Sequence, residues 1–401
     1  MAAQKTPTTK KQLVKDNIAK FRQDRRLLVV GAFRGLGLLI MLAVLVSSVV
    51  VYQDYLNPAA LRQGIRYLAA GAAQGDTALL DVDSEEDAMY LPMGFGMISA
   101  SRDGFRYHST VANNRFHIRG SFRTPALTAG NRLALIYDRG GKSLLIATAY
   151  SEVWSKTLDS SILSASMNRR GDFVLVTNET GYRCAVTVYD REQNLLCKWL
   201  TSRYYIPTAT VSPNAEAFAA LCFGTGTQAM DTRVMLFRTG EESYFASIDL
   251  SGRTVCSVKY DNSGNLFILC EDGLLVVDSE GRTVLNRTFD GILAAFRHQD
   301  GILPLLVFTR ADAQGEAVRV QMPASDGSLL LDAEYTGTFL DAATDGKSVQ
   351  LLLRDRLISL LPGSEQAQET LCSGATGVLA GSGNNPILLY PDRAEKLRPA
   401  K

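Results

Sequence analysis

The sequence predicts an all-β body made of one repeated four-stranded unit, preceded by a single membrane-spanning helix. Three observations carry the prediction. A hairpin with an acidic turn recurs at multiples of one interval. Further turn signals punctuate each interval into four strand-length pieces. A charge-free apolar run stands directly behind a strongly basic N-terminal segment.

The hairpin is seen best in three copies. Ile98-Ser-Ala-Ser-Arg-Asp-Gly-Phe105, Ile268-Leu-Cys-Glu-Asp-Gly-Leu274 and Leu351-Leu-Leu-Arg-Asp-Arg-Leu357 each read as strand, tight turn, strand. Their turn aspartates, Asp103, Asp272 and Asp355, are 169 and 83 residues apart, close to four and two units of 42. Turns fall between them near the expected places, at Gly140-Gly141, Thr180-Gly181, Met230-Asp231 and Gln314-Gly315. A second signal, D-x-x-G-[K/R], is expected in the turn after the hairpin and occurs at Asp138–Lys142, Asp249–Arg253 and Asp278–Arg282, with Asp190-Arg-Glu-Gln-Asn194 as a degenerate copy. A third precedes the hairpin: Asn168-Arg-Arg-Gly171, Ser212-Pro-Asn-Ala215, Asp261-Asn-Ser-Gly264 and Asp345-Gly346. Three turns in about 42 residues make four antiparallel strands, one blade of a β-propeller. Seven hairpins are countable. Gly377–Gly381 and Ile387–Tyr390 remain as a strand pair, and Ala78–Val82 is a spare strand able to complete it. The fold expected is therefore a β-propeller of seven or eight four-stranded blades, closed by strands from both ends so that no edge is left open. A β-sandwich is disfavoured because no Pro/Gly/Ser-rich linker divides residues 76–395.

Charge sets the organisation before the body. The 401-residue chain has a net charge of +1, yet residues 1–26 hold eight Lys or Arg against Asp16 and Asp24, a net +6. Everything after is mildly acidic at −5 and will not track a phosphate backbone, so no nucleic-acid partner is expected. Gly35–Val51 contains 17 uncharged residues, roughly 26 Å as a helix. Snorkelling by Arg34 or inclusion of Tyr52 brings it to bilayer thickness. The positive-inside rule then puts the N-terminus in the cytoplasm and the body outside it, with Arg25, Arg26, Arg34 and Tyr52 as interface anchors. No cleavage site follows Val51, so the anchor is expected to be retained. Within the tail, Val14, Ile18 and Phe21 share one helical face suited to anionic lipid. Asn57 and Pro58 open a short juxtamembrane helix bearing Leu61, Ile65 and Leu68, which Gly71 can end. The division expected is 1–26 basic cytoplasmic tail, 27–52 transmembrane helix, 53–75 juxtamembrane helix and linker, 76–395 propeller, and 396–401 C-terminal tail.

These features together look like the uncharacterised single-pass membrane-anchored β-propeller proteins of clostridial and related Gram-positive bacteria. The resemblance spans nearly the whole chain. It implies a location and an architecture and carries no established activity.

Chemistry is harder to find. The six cysteines form no C-x-x-C pair, the nearest two being 13 apart, and His108, His117 and His298 are scattered. No metal or cofactor is expected. Asp190…Trp199 is similar to the docking motif of quinone-dependent propellers, but Trp154 and Trp199 are the only tryptophans. No G-x-S-x-G nucleophile motif occurs. A propeller glycosidase needs two facing carboxylates, and among 41 acidic residues the sequence singles out no pair. Asp81-Val-Asp-Ser-Glu-Glu-Asp87 is the densest acidic run, but it lacks the glycine and closing glutamate of a calcium loop. Arg203, Tyr204 and Tyr205 are the candidate partner-binding loop, since tyrosine beside arginine is the composition of interface anchors. The reading is a non-catalytic binding or scaffolding module of the cell envelope, with another envelope protein or a glycan as its partner besides the lipid bilayer. The alternative is an extracytoplasmic glycan hydrolase or lyase using carboxylates at a central channel.

Overall fold

The computed structural model describes residues 35–44, 46, 78–81, 88–94, 96–108, 115–225, 230–312, 315–364, 366–381 and 385–397. The chain divides into two compact units, Met1–Leu61 and Arg62–Lys401.

In the second unit every sheet has four strands, and there are eight of them among the described residues. Blades 1 to 7 run consecutively over residues 89–119, 125–157, 162–201, 205–249, 255–288, 292–336 and 339–371. Within a blade the strands are antiparallel neighbours in chain order, labelled a to d from the centre outward. Blade 8 takes strands a to c from Gly377–Leu379, Ile387–Leu389 and Arg393–Lys396, and strand d from Ala78–Asp81. Ala78 pairs with Lys396 and Asp81 with Arg393, so the two ends of the propeller close one sheet. The ring is eight-bladed. The boundary expected at residue 395 falls inside strand c of blade 8, because Lys396 is still paired.

The apolar pattern follows from the packing. Strands b and c are covered on both faces by adjacent blades, so Gly96–Ser101, Leu266–Cys270 and Val349–Leu353 are buried at every position. Strands d have one wet face and alternate, as in Thr283–Thr288 and Ala367–Leu371. The buried apolar residues form eight clusters, one at each blade-to-blade contact. Among the described residues the seam between blades 8 and 1 has the smallest cluster, with Met97, Ile387 and Ala394 buried. Both tryptophans sit on strand d and dock on the next blade: Trp154 against Phe173 and Tyr189, Trp199 against Phe237 at 4.4 Å.

The turn aspartates Asp103, Asp272 and Asp355 all occupy b–c turns, as their spacing requires. The interval of 42 is an average: strand a begins 36 residues on from Met89 to Pro125, but 50 on from Tyr205 to Val255. Met230 and Asp231 already lie in strand c of blade 4, so that b–c turn comes earlier than expected. The D-x-x-G-[K/R] copies are not equivalent. Asp138 ends a strand b, Asp249 ends a strand d, and Asp278 follows a strand c. The motif reports turn chemistry and not a fixed place in the blade: its own glycine is left-handed at 252 and 281, whereas in the first copy the left-handed residue is Gly140, one position before the motif glycine Gly141.

In the first unit residues 35–44 are helical. Leu36, Leu38, Leu39, Ile40, Met41, Leu42 and Val44 are each more than half exposed. Among the described residues no helix is long and apolar enough to cross a membrane. The rest of the segment expected to span, the basic tail, the juxtamembrane helix, and Arg25, Arg26, Arg34 and Tyr52 lie outside the described residues, as does all of the acidic run beyond Asp81.

Candidate functional site

The turns of the ring divide between two faces. On one face the b–c turns meet the d–a connections: Gly120 and Phe289 donate backbone hydrogen bonds to Asp103 and Asp272. On the other, the a–b turns meet each other, as where Asn131 N–H donates to Arg169 O at 3.0 Å. A cavity of about 670 Å³ opens among the a–b turns. It touches Leu91, Leu127, Met167, Lys259, Ile302, Thr344 and Ala380, from seven different blades, and is therefore the axial channel. A side chamber of about 360 Å³ shares Asn131, Arg169 and Asp300 with it and reaches Tyr260 and Asn262.

Asp300, in the a–b turn of blade 6, crosses the channel. Its carboxylate accepts hydrogen bonds from Ser166 of blade 3 and Thr210 of blade 4, and from Lys259 of blade 5 at 2.7 Å. Lys259 also donates to Ser166. Gly301 N–H donates to Tyr260 O at 2.7 Å and ties the turn to blade 5. At φ +75°, with Arg169 and Asn262 pressed against it, Gly301 has no room for a β-carbon. Sequence reading missed this assembly. Its members are 41 to 134 residues apart and share no motif.

Beside it, both ring nitrogens of His298 and the Tyr260 hydroxyl are buried with no hydrogen-bond partner among the described residues. Burial, reinforced by the Lys259 charge, pushes the His298 imidazole down to about 3. Burial, reinforced by Asp300, raises the Tyr260 phenol.

This arrangement is poor catalytic machinery. A nucleophilic serine needs a neighbouring base, and the lysine beside Ser166 is committed as a donor in an ion pair with Asp300. An imidazole near 3 is a weak base at neutral pH. The cavity's other carboxylate, Asp345, caps its own turn, accepting from the N–H groups of Lys347 and Ser348. Among the described residues no group of three His, Cys, Asp or Glu is placed to hold a metal ion.

The loop singled out from sequence lies on the opposite face, in the connection from blade 3 to blade 4. Its three residues do different things. Arg203 stacks 5.1 Å from the Tyr204 ring centroid. Tyr204 is 6% exposed and belongs to the core between those blades. Tyr205 already starts strand a of blade 4 and is 46% exposed. Cys184 and Cys197 are both free thiols, on strands c and d of blade 3. Cys184 pairs with Thr201 and Cys197 with Val188, so the two are offset along the sheet.

Comparison with known proteins agrees with the architecture. Residues 77–398 match the model of a family of unknown function, DUF5711. No characterised protein matches by sequence. Among solved structures, Sqt1 of Saccharomyces cerevisiae is similar at a TM-score of 0.52 and 9% identity, over 82% of this chain and 100% of that one. Sqt1 of Chaetomium thermophilum, bound to the N-terminus of the ribosomal protein L10, is similar at 0.52 and 11%, over 81% and 100%. BamB from Moraxella catarrhalis is similar at 0.45 and 16%, over 81% and 99%. At these identities the likeness is one of fold.

Proposed function

The chain belongs to the DUF5711 family of unknown function, and from that footing we propose that it is a non-catalytic binding module held at a membrane. In this reading residues 27–52 are a retained single-pass anchor, residues 1–26 lie in the cytoplasm, and the propeller is extracytoplasmic. There it presents its ring to another protein or a glycan of the cell envelope.

The observation that carries the binding half is the axial channel. Its buried carboxylate is saturated by Ser166, Thr210 and Lys259, which leaves a cavity able to hold a ligand and, among its described lining residues, no free carboxylate pair to act on one. The anchor half is supported by the helix at residues 35–44, whose apolar side chains are exposed all round. A helix apolar on every face belongs in a protein core or in lipid. The net charge of +6 before it sets the orientation. Sqt1 bound to the N-terminus of a protein partner is an instance of this architecture used for capture. Here that instance motivates a search for a protein partner.

The orientation is tested with Lys10→Cys and Ser160→Cys, each in a cysteine-free background, and a membrane-impermeant thiol reagent on intact cells. Labelling of Cys at 160 with protection at 10 is expected. The reverse pattern overturns the orientation. Tethering is tested with a form cut after Tyr52, which is expected to fold and to fail in complementation. Full complementation by the cut form would make the anchor incidental.

A further inference from the structure

Beside the channel, buried polar groups are left without partners among the described residues. The Tyr260 hydroxyl is buried in a residue only 4% exposed and donates to nothing among the described residues. A buried polar group left so costs on the order of 1–3 kcal/mol unless something fills the site. His298, which lines the main cavity, has the same deficit at both ring nitrogens.

Arg169 is the third group and the best positioned. It lines both the cavity and the side chamber. Its Nε donates to Asn131 Oδ1 at 3.1 Å, and its methylenes lie against Gly301. The outer part of the side chain is thereby held in place. Among the described residues no carboxylate stands within ion-pair distance of it. Asp300, which borders the same space, is neutralised by Lys259 and has its oxygens filled.

The surplus has a sign and a size. The charged residues lining the main cavity are Arg169, Lys259 and Lys347 against Asp300 and Asp345, one positive charge in excess. A fork of guanidinium N–H groups matches the two coplanar oxygens of a carboxylate. The remaining wall offers Leu91, Leu127, Met167 and Ile302. About 670 Å³ is the volume of an ordinary small-ligand site.

We propose that the channel binds a small monocarboxylate with an apolar body. The acid group is held by the guanidinium of Arg169 where the two cavities join, and the apolar body lies against Leu91, Leu127 and Met167. The assignment deepens the binding-module reading and rests on it. The acid group has two sources, the C-terminal end of a peptide or a free branched acid, and both present the same chemistry.

The test uses the full-length protein and matched pairs of probes, with calorimetry as the readout. N-acetyl-leucine against N-acetyl-leucinamide represents the peptide end. 4-Methylpentanoate against its amide represents the free acid. At least one acid is expected to bind saturably and at least tenfold more tightly than its amide, and the stronger pair identifies the source. Arg169→Gln is expected to lower that affinity at least tenfold. Tyr260→Phe, whose buried hydroxyl the ligand does not reach, is expected to leave that affinity unchanged and the melting temperature unchanged or raised, since the lost hydroxyl had no partner among the described residues. The proposal is overturned if neither acid binds, if acid and amide bind alike, or if Arg169→Gln binds like the parent. Recovery of the probes afterwards separates this assignment from the reading beneath it. Consumption of a bound acid would sink the non-catalytic reading and keep the site. A failed site, with tethering still required for complementation, would leave the binding module without this ligand.

Discussion

Lys259 and Asp300, on neighbouring blades and 41 residues apart, meet at 2.7 Å inside the channel, with their side chains 20% and 3% exposed. The pair belongs to a polar knot that joins blades 3, 4, 5 and 6 across the axis, where the inter-blade cores do not reach.

Removing the acid should therefore be costly. Asp300→Ala leaves Lys259 without its counter-ion and takes the acceptor from Ser166 and Thr210. About 3–5 kcal/mol of stability should be lost. Adding Lys259→Met should recover part of it, because the stranded charge goes too. Denaturant unfolding of the single and double variants checks this. A double variant less stable than Asp300→Ala would contradict the ion-pair account.

The closing seam should be the ring's weak point. Met97 is fully buried and faces Ile387 and Ala394 in the smallest of the eight clusters among the described residues. Met97→Ala should cost about 2–5 kcal/mol. Deleting residues 387–401 removes strands b and c of blade 8 and leaves Ala78–Asp81 unpaired. Cooperative loss of folding is expected on thermal unfolding. A truncated protein that melts like the parent would show that closure contributes little.

Acid should weaken the fold through His298. Its imidazole is held near 3 in the folded protein against an ordinary value near 6.5. Between those values the unfolded chain binds a proton that the folded one does not, so stability falls as pH falls through that window. Lys259 and, at 6.3 Å between ring centroids, Phe267 stand beside it. His298→Gln should flatten this part of the stability curve, measured by urea unfolding at a series of pH values from 6.5 downward.

The two adjacent tyrosines should separate cleanly. Tyr204→Ala opens a cavity in the core of blades 3 and 4 and should cost about 3–5 kcal/mol. Tyr205→Ala, half-exposed at the start of its strand, should change stability by no more than about 0.5 kcal/mol. Only Tyr205→Ala then reports on partner capture at that face. Equal destabilisation by both would mean that Tyr205 also packs.

What the sequence determined by itself was the local and the repetitive. A hairpin needs only alternating or continuous apolar residues and a turn of suitable chemistry, all within a dozen residues. The b–c turns at Asp103, Asp272 and Asp355 were accordingly legible, and with them the four-stranded unit. The number of blades was left at seven or eight because blade 8 is assembled from both ends. Its strand Arg393–Lys396 reads Arg-Ala-Glu-Lys, with Ala394 its one buried residue, so it shows no apolar run. It exists through pairing with Ile387–Leu389 and Ala78–Asp81. The same locality explains the misplaced D-x-x-G-[K/R] motif, since one turn chemistry serves b–c, c–d and d–a positions alike. Tertiary structure alone decided the site. Ring closure brings Asp300 within reach of Ser166, 134 residues away, and buries Tyr260 and His298 beside it. None of these residues carries a pattern along the chain, because their relation is set by the radius of the ring and not by the period of its strands.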